Sequence, residues 1–222
     1  MAKKFLIIGL GHFGFYLAKL LYEKGEEVIV IDNDEKSIKK IASFCSKSIK
    51  GDIKEKEVLE KLNPADMDKV VVCIGENIEA SLLAVQYLQE LGVKKERIYA
   101  KATSKEHKDM LEKIGVNKVI FPEEEVAKKY AFILRGENVQ QFFSIENGYE
   151  MVEIPAPSSF VGKTLQELDI INKYGIVIVA VKNPITKKVA CPPDKTYKIK
   201  DDESLIIAGK EESIEKLLRE VK

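Results

Sequence analysis

From Phe5 to Phe121, short unbroken apolar runs alternate with stretches whose apolar positions recur at helical spacing. Phe5-Leu6-Ile7-Ile8, Val28-Ile29-Val30-Ile31, Ser48-Ile49-Lys50, Val70-Val71-Val72-Cys73-Ile74, Ile98-Tyr99-Ala100 and Val119-Ile120-Phe121 read as strands. Between them, Phe13, Leu17, Leu20 and Leu21 mark a helix that Gly25 ends. Ile38 and Ile41 mark a second, Val58, Leu59 and Leu62 a third, Ala80–Leu91 a fourth and the surroundings of Met110-Leu111 a fifth. Strands that are apolar throughout, rather than alternating, imply a parallel sheet covered on both faces. The repeats predict an α/β fold with a doubly wound parallel sheet of the Rossmann type.

From Glu123 the pattern changes. A helix through Val126, Ala127, Tyr130, Ala131 and Leu134 leads to Arg135-Gly136-Glu137-Asn138. Strands then follow at Met151–Ile154, Ile176–Val181 and Leu205–Ala208 without regular crossover helices. Turn signals separate them at Pro155–Pro157, Asn183-Pro184 and Pro192-Pro193-Asp194. With a short helix at Leu165–Leu168 and a terminal one at Ile214–Leu218, this reads as a small α+β C-terminal domain. The expected domains are residues 1–135 and 139–222.

Composition narrows the function. Lys+Arg and Asp+Glu both total 36, and the balance holds in each part of the chain. A nucleic-acid binder would carry a basic excess to neutralise phosphates, so no nucleic-acid partner is expected. The 3 cysteines, Cys45, Cys73 and Cys191, are widely spaced and odd in number, which suggests neither a disulfide framework nor a zinc site. Cys73, inside an apolar run, reads as a small buried hydrophobe. No stretch has the length of apolar sequence needed to span a bilayer, so the expected location is cytoplasmic, with any membrane role acting through a partner.

Gly9-Leu10-Gly11-His12-Phe13-Gly14 matches G-x-G-x-x-G, follows a strand and opens a helix. Gly9 permits the tight turn, Gly11 lets the main chain approach a diphosphate, and Gly14 allows close helix–strand packing. The helix N-terminus offers free N–H groups to the anion. Asp32, ending the second strand, can accept hydrogen bonds from both ribose hydroxyls of an adenosine and would repel a 2′-phosphate. The remaining candidates sit past the carboxyl ends of the strands, where ligands bind in such sheets. They are Asn33 and Asp34 after the second strand, Gly51, Asp52 and Ile53 after the third, Ile74, Gly75, Glu76 and Asn77 after the fourth, and Lys101 after the fifth. His12 and Phe13 lie between the loop glycines, His12 as a phosphate neighbour; His107, in a charged helix, reads as surface. Glu123-Glu124-Glu125 could collect a divalent cation or simply favour the start of a helix.

Catalytic signatures are missing. The 2 histidines both lie in the first domain, and no G-x-S-x-G, H-E-x-x-H or P-loop occurs. The expected protein is not an enzyme; an NAD-dependent oxidoreductase is the rival reading.

Several of these stretches closely resemble the RCK domains of Trk- and Ktr-type potassium-uptake regulators. They are Ile7 to Gly14, Val30-Ile31-Asp32, Gly51-Asp52, Val72 to Asn77 and Glu112-Lys113-Ile114-Gly115. Phe160 to Leu165, Tyr174-Gly175, Pro193-Asp194 and Leu205 to Gly209 likewise resemble the TrkA-C domain. The resemblance implies a homo-oligomeric ring, typically an octamer, docked on the cytoplasmic face of a separate membrane subunit that translocates potassium. It implies an adenine nucleotide, ATP/ADP or NAD/NADH, in each Rossmann-type domain. It implies a Mg²⁺ or Ca²⁺ ion placed by Glu123, and cyclic di-AMP as a ligand of some C-domains at a dimer interface. Ile170-Ile171 would give an apolar wall there, although the basic residue of some relatives is not evident at Ile171 or Asn172. His12 departs from the arginine common in Ktr-type proteins, which helps recognise the terminal phosphate of ATP.

Overall fold

A computed structural model describes residues 2–135, 139–145 and 147–221. The linker expected at 136–138 lies outside the described residues. Chain contacts divide the protein into two compact units, Met1–Glu123 and Glu124–Lys222.

The first unit runs β1 (Lys4–Ile8), α1 (His12–Glu23), β2 (Glu27–Asp32), α2 (Glu35–Ile41), β3 (Lys47–Lys50) and α3 (Lys56–Glu60). It continues through β4 (Lys69–Val72), α4 (Ile78–Glu90), β5 (Ile98–Lys101), α5 (Lys105–Lys113) and β6 (Lys118–Ile120). All six strands are parallel, in the order β3-β2-β1-β4-β5-β6. Strand periodicity explains the double winding, because successive side chains leave opposite faces. Phe5 and Ile7 of β1 join Val28, Val30, Val71 and Cys73 against Ala18 of α1 and Ile41 of α2. Leu6 and Ile8 join Ile31, Val70, Val72 and Ile98 against Leu59 of α3, Ala84 and Leu88 of α4 and Leu111 of α5. The sheet is thus buried on both sides, as the continuous apolar runs required.

The order reverses between β1 and β4, so the loops after these two strands part and open a crevice along the carboxyl edge of the sheet, the crest.

The second unit holds α6 (Pro122–Arg135) beyond its first residues, then β7 (Gln141–Ile145), β8 (Tyr149–Pro155), α7 (Leu165–Leu168) and α8 (Ile170–Tyr174). It ends with β9 (Val177–Lys182), β10 (Val189–Ala190), β11 (Ser204–Lys210) and α9 (Glu211–Glu220). The sheet is antiparallel, in the order β10-β9-β11-β8-β7. Val152, Ile154, Leu205 and Ile207 of its central strands pack with Ile214 and Leu217 of α9. Strands β7 and β10 and helix α8 are additions to the sequence reading. The expected Ile170-Ile171 wall divides: Ile170 is buried in the domain's own core, and only Ile171 faces outward.

Candidate functional site

The glycine loop between β1 and α1 assigns a different task to each glycine. Gly9 has φ of +95°, and a Cβ there would meet the main chain of Cys73 and Ile74 at 3.1 Å. Gly14 is tighter: a Cβ would lie 2.0 Å from the Gly9 carbonyl oxygen and 3.0 Å from Cys73 Cβ. Both glycines are dictated by the fold itself. Gly11 is not. Its φ of −57° and ψ of 178° suit any residue, and a Cβ there would meet nothing within 4 Å. Neither strain nor packing accounts for glycine at this position, whereas a ligand pressed against the main chain does.

Helix α1 starts at Gly11 without a side-chain cap and without an acid in its first turn. Its leading N–H groups have no intrahelical acceptor by helix geometry and carry the positive end of the dipole. Beside this loop lies Asp32. Its Oδ2 accepts from the Leu10 N–H at 2.5 Å and its Oδ1 from the Asp34 N–H at 2.7 Å, which fixes the acid against the glycine turn. His12 is exposed at the mouth of the loop, and Phe13 packs partly into the core.

The structure separates the other candidates into those facing outward and those engaged within the fold. Asp34 caps α2, accepting from the amides of Lys36 and Ser37 and the Ser37 hydroxyl. The Ser37 hydroxyl, with these amides, holds the carboxyl below its ordinary value. Asn77 caps α4 by accepting from the Ala80 N–H at 2.9 Å. Ile53 sends its side chain into the core. Gly51 donates to the Asp32 carbonyl, and a Cβ on it would meet Val58 at 2.6 Å. Asn33, Asp52 and Glu76 are exposed along the crest, while Ile74 and Gly75 are half-buried. Lys101, largely buried at the end of β5, pairs with Glu123 at 2.8 Å. The Lys101 ammonium holds the Glu123 carboxyl below the usual range.

Glu123 therefore has a cationic partner already, and the described residues contain no cluster of three or more acidic, histidine or cysteine side chains able to hold a metal. A divalent ion here would draw its remaining oxygens from a bound phosphate, a common arrangement for Mg²⁺.

His107 corrects the sequence reading. It is fully buried, not surface, with Nε2 3.2 Å from Ser81 Oγ and Nδ1 3.3 Å from Thr103 Oγ1. Burial pushes its pKa below the ordinary histidine value. Ser104-x-x-His107 has capping-box spacing with histidine in the acid's place, and Ser104 does cap α5, but that spacing marks a helix start and says nothing of burial. Cys73 is buried as expected, and burial pushes its thiol up to about 12, which leaves it protonated and unreactive near neutrality.

This crest, on a sheet of this order, defines a Rossmann-type nucleotide-binding class of domain, here with a second, antiparallel domain behind it in the chain. The TrkA-N domain family matches residues 5–122 and the TrkA-C domain family residues 149–222. The chain belongs to the TrkA-N/TrkA-C family of Ktr- and Trk-type potassium-uptake proteins. It is 40% identical over 209 residues to Ktr system potassium uptake protein C of Bacillus subtilis, covering 94% of this chain and 93% of that protein. It is 32% identical to Ktr system potassium uptake protein A of the same organism, covering 98% of this chain and 96% of that one. Among solved structures, the GsuK channel bound to NAD has the same fold, with a TM-score of 0.66 at 18% identity. That match covers 98% of this chain but only 40% of the GsuK chain, so the chain spans less than half the channel's length. These relatives do not favour the oxidoreductase alternative. No helix among the described residues is long and apolar enough to cross a membrane.

Proposed function

We propose that this chain is a cytosolic, non-enzymatic regulatory subunit. It binds an adenine nucleotide at the crest of its first domain and gates a separate membrane subunit that translocates potassium. The observation that carries the reading is Gly11, a glycine that the fold does not need, at the uncapped start of α1 beside Asp32. It stands in a chain aligned along nearly its whole length with a Ktr potassium-uptake protein.

In this reading the loop main chain, from Gly9 and Gly11 through His12, Phe13 and Gly14, takes the diphosphate, and Asp32 takes the ribose. Asn33, Asp34, Gly51, Asp52, Ile53, Ile74, Gly75, Glu76, Asn77 and Lys101 frame the adenosine and the far phosphates. Ile53 and Asn77 contribute main-chain groups there, since their side chains are engaged elsewhere, while Asp34 braces Asp32 through its N–H. Glu123 holds Mg²⁺ or Ca²⁺ together with phosphate oxygens. ATP, ADP, NAD and NADH all carry the required adenosine diphosphate, and the GsuK channel was solved with NAD. The chains close into an octameric ring.

A nucleotide shifts such a ring only by its different affinity for two shapes, and several sites on one ring multiply the bias. The test is potassium flux in proteoliposomes holding the pore subunit, with this chain added and each of the four nucleotides at saturation. At least one nucleotide should change flux, Mg²⁺ or Ca²⁺ should tighten its binding, and Glu123→Gln should lose that gain. A complex whose flux ignores every nucleotide overturns the proposal, and oxidation of NADH by the isolated chain overturns its non-enzymatic part.

A further inference from the structure

His107 is buried, titratable and unused by the nucleotide reading. Its ring lies between two elements that meet at the crest. Nε2 reaches Ser81 Oγ at 3.2 Å, and Ser81 sits in the first turn of α4, where its N–H bonds the carbonyl of Asn77 at 3.1 Å. Nδ1 reaches Thr103 Oγ1 at 3.3 Å in the loop after β5. A neutral imidazole offers one donor and one acceptor, and each hydroxyl can supply the complementary role. Both ring nitrogens are satisfied, which is what allows a polar ring to be fully buried. The main chain holds the ring from below, because the His107 N–H bonds the capping Ser104 hydroxyl at 3.1 Å.

Thr103 is the arm that reaches the site. A side-chain carbon built on Gly75 would meet Thr103 Cγ2 at 3.5 Å, an ordinary contact distance. Thr103 therefore stands on the flank of Gly75, in the loop that follows β4 on one wall of the crevice. We infer that His107 is a positioning residue for the nucleotide site: Ser81 anchors its ring in the core, and its Nδ1 contact locks Thr103 against the flank of Gly75, which fixes that wall of the crevice. This rests on the nucleotide reading above, because a wall is of use only if something binds against it.

Two conservative variants divide the ring's contacts. Asparagine in place of His107 keeps a polar atom near the Nδ1 position, facing Thr103. Glutamine keeps one near Nε2, facing Ser81. ADP binding is measured by calorimetry and stability by urea unfolding on the full chain. Both variants should lower the urea midpoint, but their ADP affinities should split. His107→Gln should bind ADP roughly ten-fold more weakly, the weight of one hydrogen bond, while His107→Asn stays within about three-fold of wild type. Affinities that are equal in the two variants, or that follow the urea midpoints, reduce His107 to a core residue and overturn the inference. Should either variant fail to fold, Thr103→Val decides. It keeps the methyl beside Gly75 and removes the hydroxyl that His107 holds, so weakened ADP binding supports the role and unchanged binding overturns it. Wild type and Gly11→Val serve as controls for the underlying reading. Wild-type protein that binds no ADP, or Gly11→Val protein that binds it equally well, sinks the nucleotide site and the wall with it.

Discussion

Helices α2, α4 and α5 leave the crest under side-chain caps from Asp34, Asn77 and Ser104, whereas α1 leaves it from Gly11 with no cap. All four begin on the same edge of the same sheet and present the same free N–H groups. The chain supplies an acceptor at three of them and withholds it at the fourth. Its fourth start also carries no acid in the first turn, although such acids are present at the other three. A cap stabilises a helix by about 1 kcal/mol relative to alanine but by only a few tenths relative to glycine, so leaving α1 uncapped at Gly11 costs the fold little. Helix α3 also starts without a side-chain cap, at Glu55, but it carries an acid, Glu57, in its first turn. Of these five starts α1 alone lacks both, which is what the proposed anion site requires.

The widest effect expected from this comparison separates two glycines three residues apart. Gly14→Ala puts a methyl 2.0 Å from a carbonyl oxygen and should destabilise the protein by about 3 kcal/mol or more in urea unfolding. Gly11→Val meets only open space and should unfold within about 1 kcal/mol of wild type, yet calorimetry should find no nucleotide binding. A Gly11→Val protein that still binds would return α1 to the company of the other helices.

Next in size is Asp32→Ala. Loss of a charged acceptor from the ribose should weaken adenosine nucleotides by about 1.5–3 kcal/mol. The same substitution frees the Leu10 and Asp34 amides, so stability should fall with affinity. Unchanged affinity in a folded variant would remove Asp32 from the site.

Asn77→Ala should lower stability by about 1 kcal/mol through loss of the α4 cap. Gly11→Asp makes the reverse change, giving α1 the cap it lacks. It should raise the stability of the ligand-free protein by about 0.5 kcal/mol while abolishing nucleotide binding. If it destabilises the ligand-free chain, the bare end is not free for a cap.

The smallest effect concerns acid. His107 has its pKa lowered in the fold from an ordinary 6.5, through burial. Below that ordinary value the unfolded chain therefore binds a proton that the folded chain resists. Its contribution to stability is full above about 6.5 and declines as pH falls toward the lowered value. Urea midpoints should drop across that window in wild type and drop less in His107→Gln; parallel profiles would exclude His107 as the source.

The first domain was legible because two codes agreed. Unbroken runs such as Val70–Val72 gave buried parallel strands, and Gly9, Gly11 and Gly14 fell where a strand meets a helix. Strand β7 was harder: of its five residues only Phe142 is buried, so it carries neither an unbroken run nor a full alternation. Strand β10 has two residues and no pattern to read. His107 was misplaced for a different reason. Its neighbours Lys105, Glu106 and Lys108 are polar, and one of its ring partners, Ser81, is 26 residues away, which no local window contains. At Asp34 and Asn77 the sequence does not separate a cap from a ligand contact, because capping residues and ligand residues favour the same place, the start of a helix at the crest.

The Asp32 carboxylate offers about four lone-pair positions, two on each oxygen. Leu10 takes one on Oδ2 and Asp34 takes one on Oδ1. That leaves one acceptor position on each oxygen, the number that a pair of vicinal ribose hydroxyls supplies with donors. Sugar recognition would then complete a valence already half filled and displace nothing. Leu10 and the ribose would be co-tenants of one charge, so that any movement of the glycine loop would change the acceptor geometry the sugar meets. A nucleoside stripped of its phosphates would still sense where the glycine turn stands.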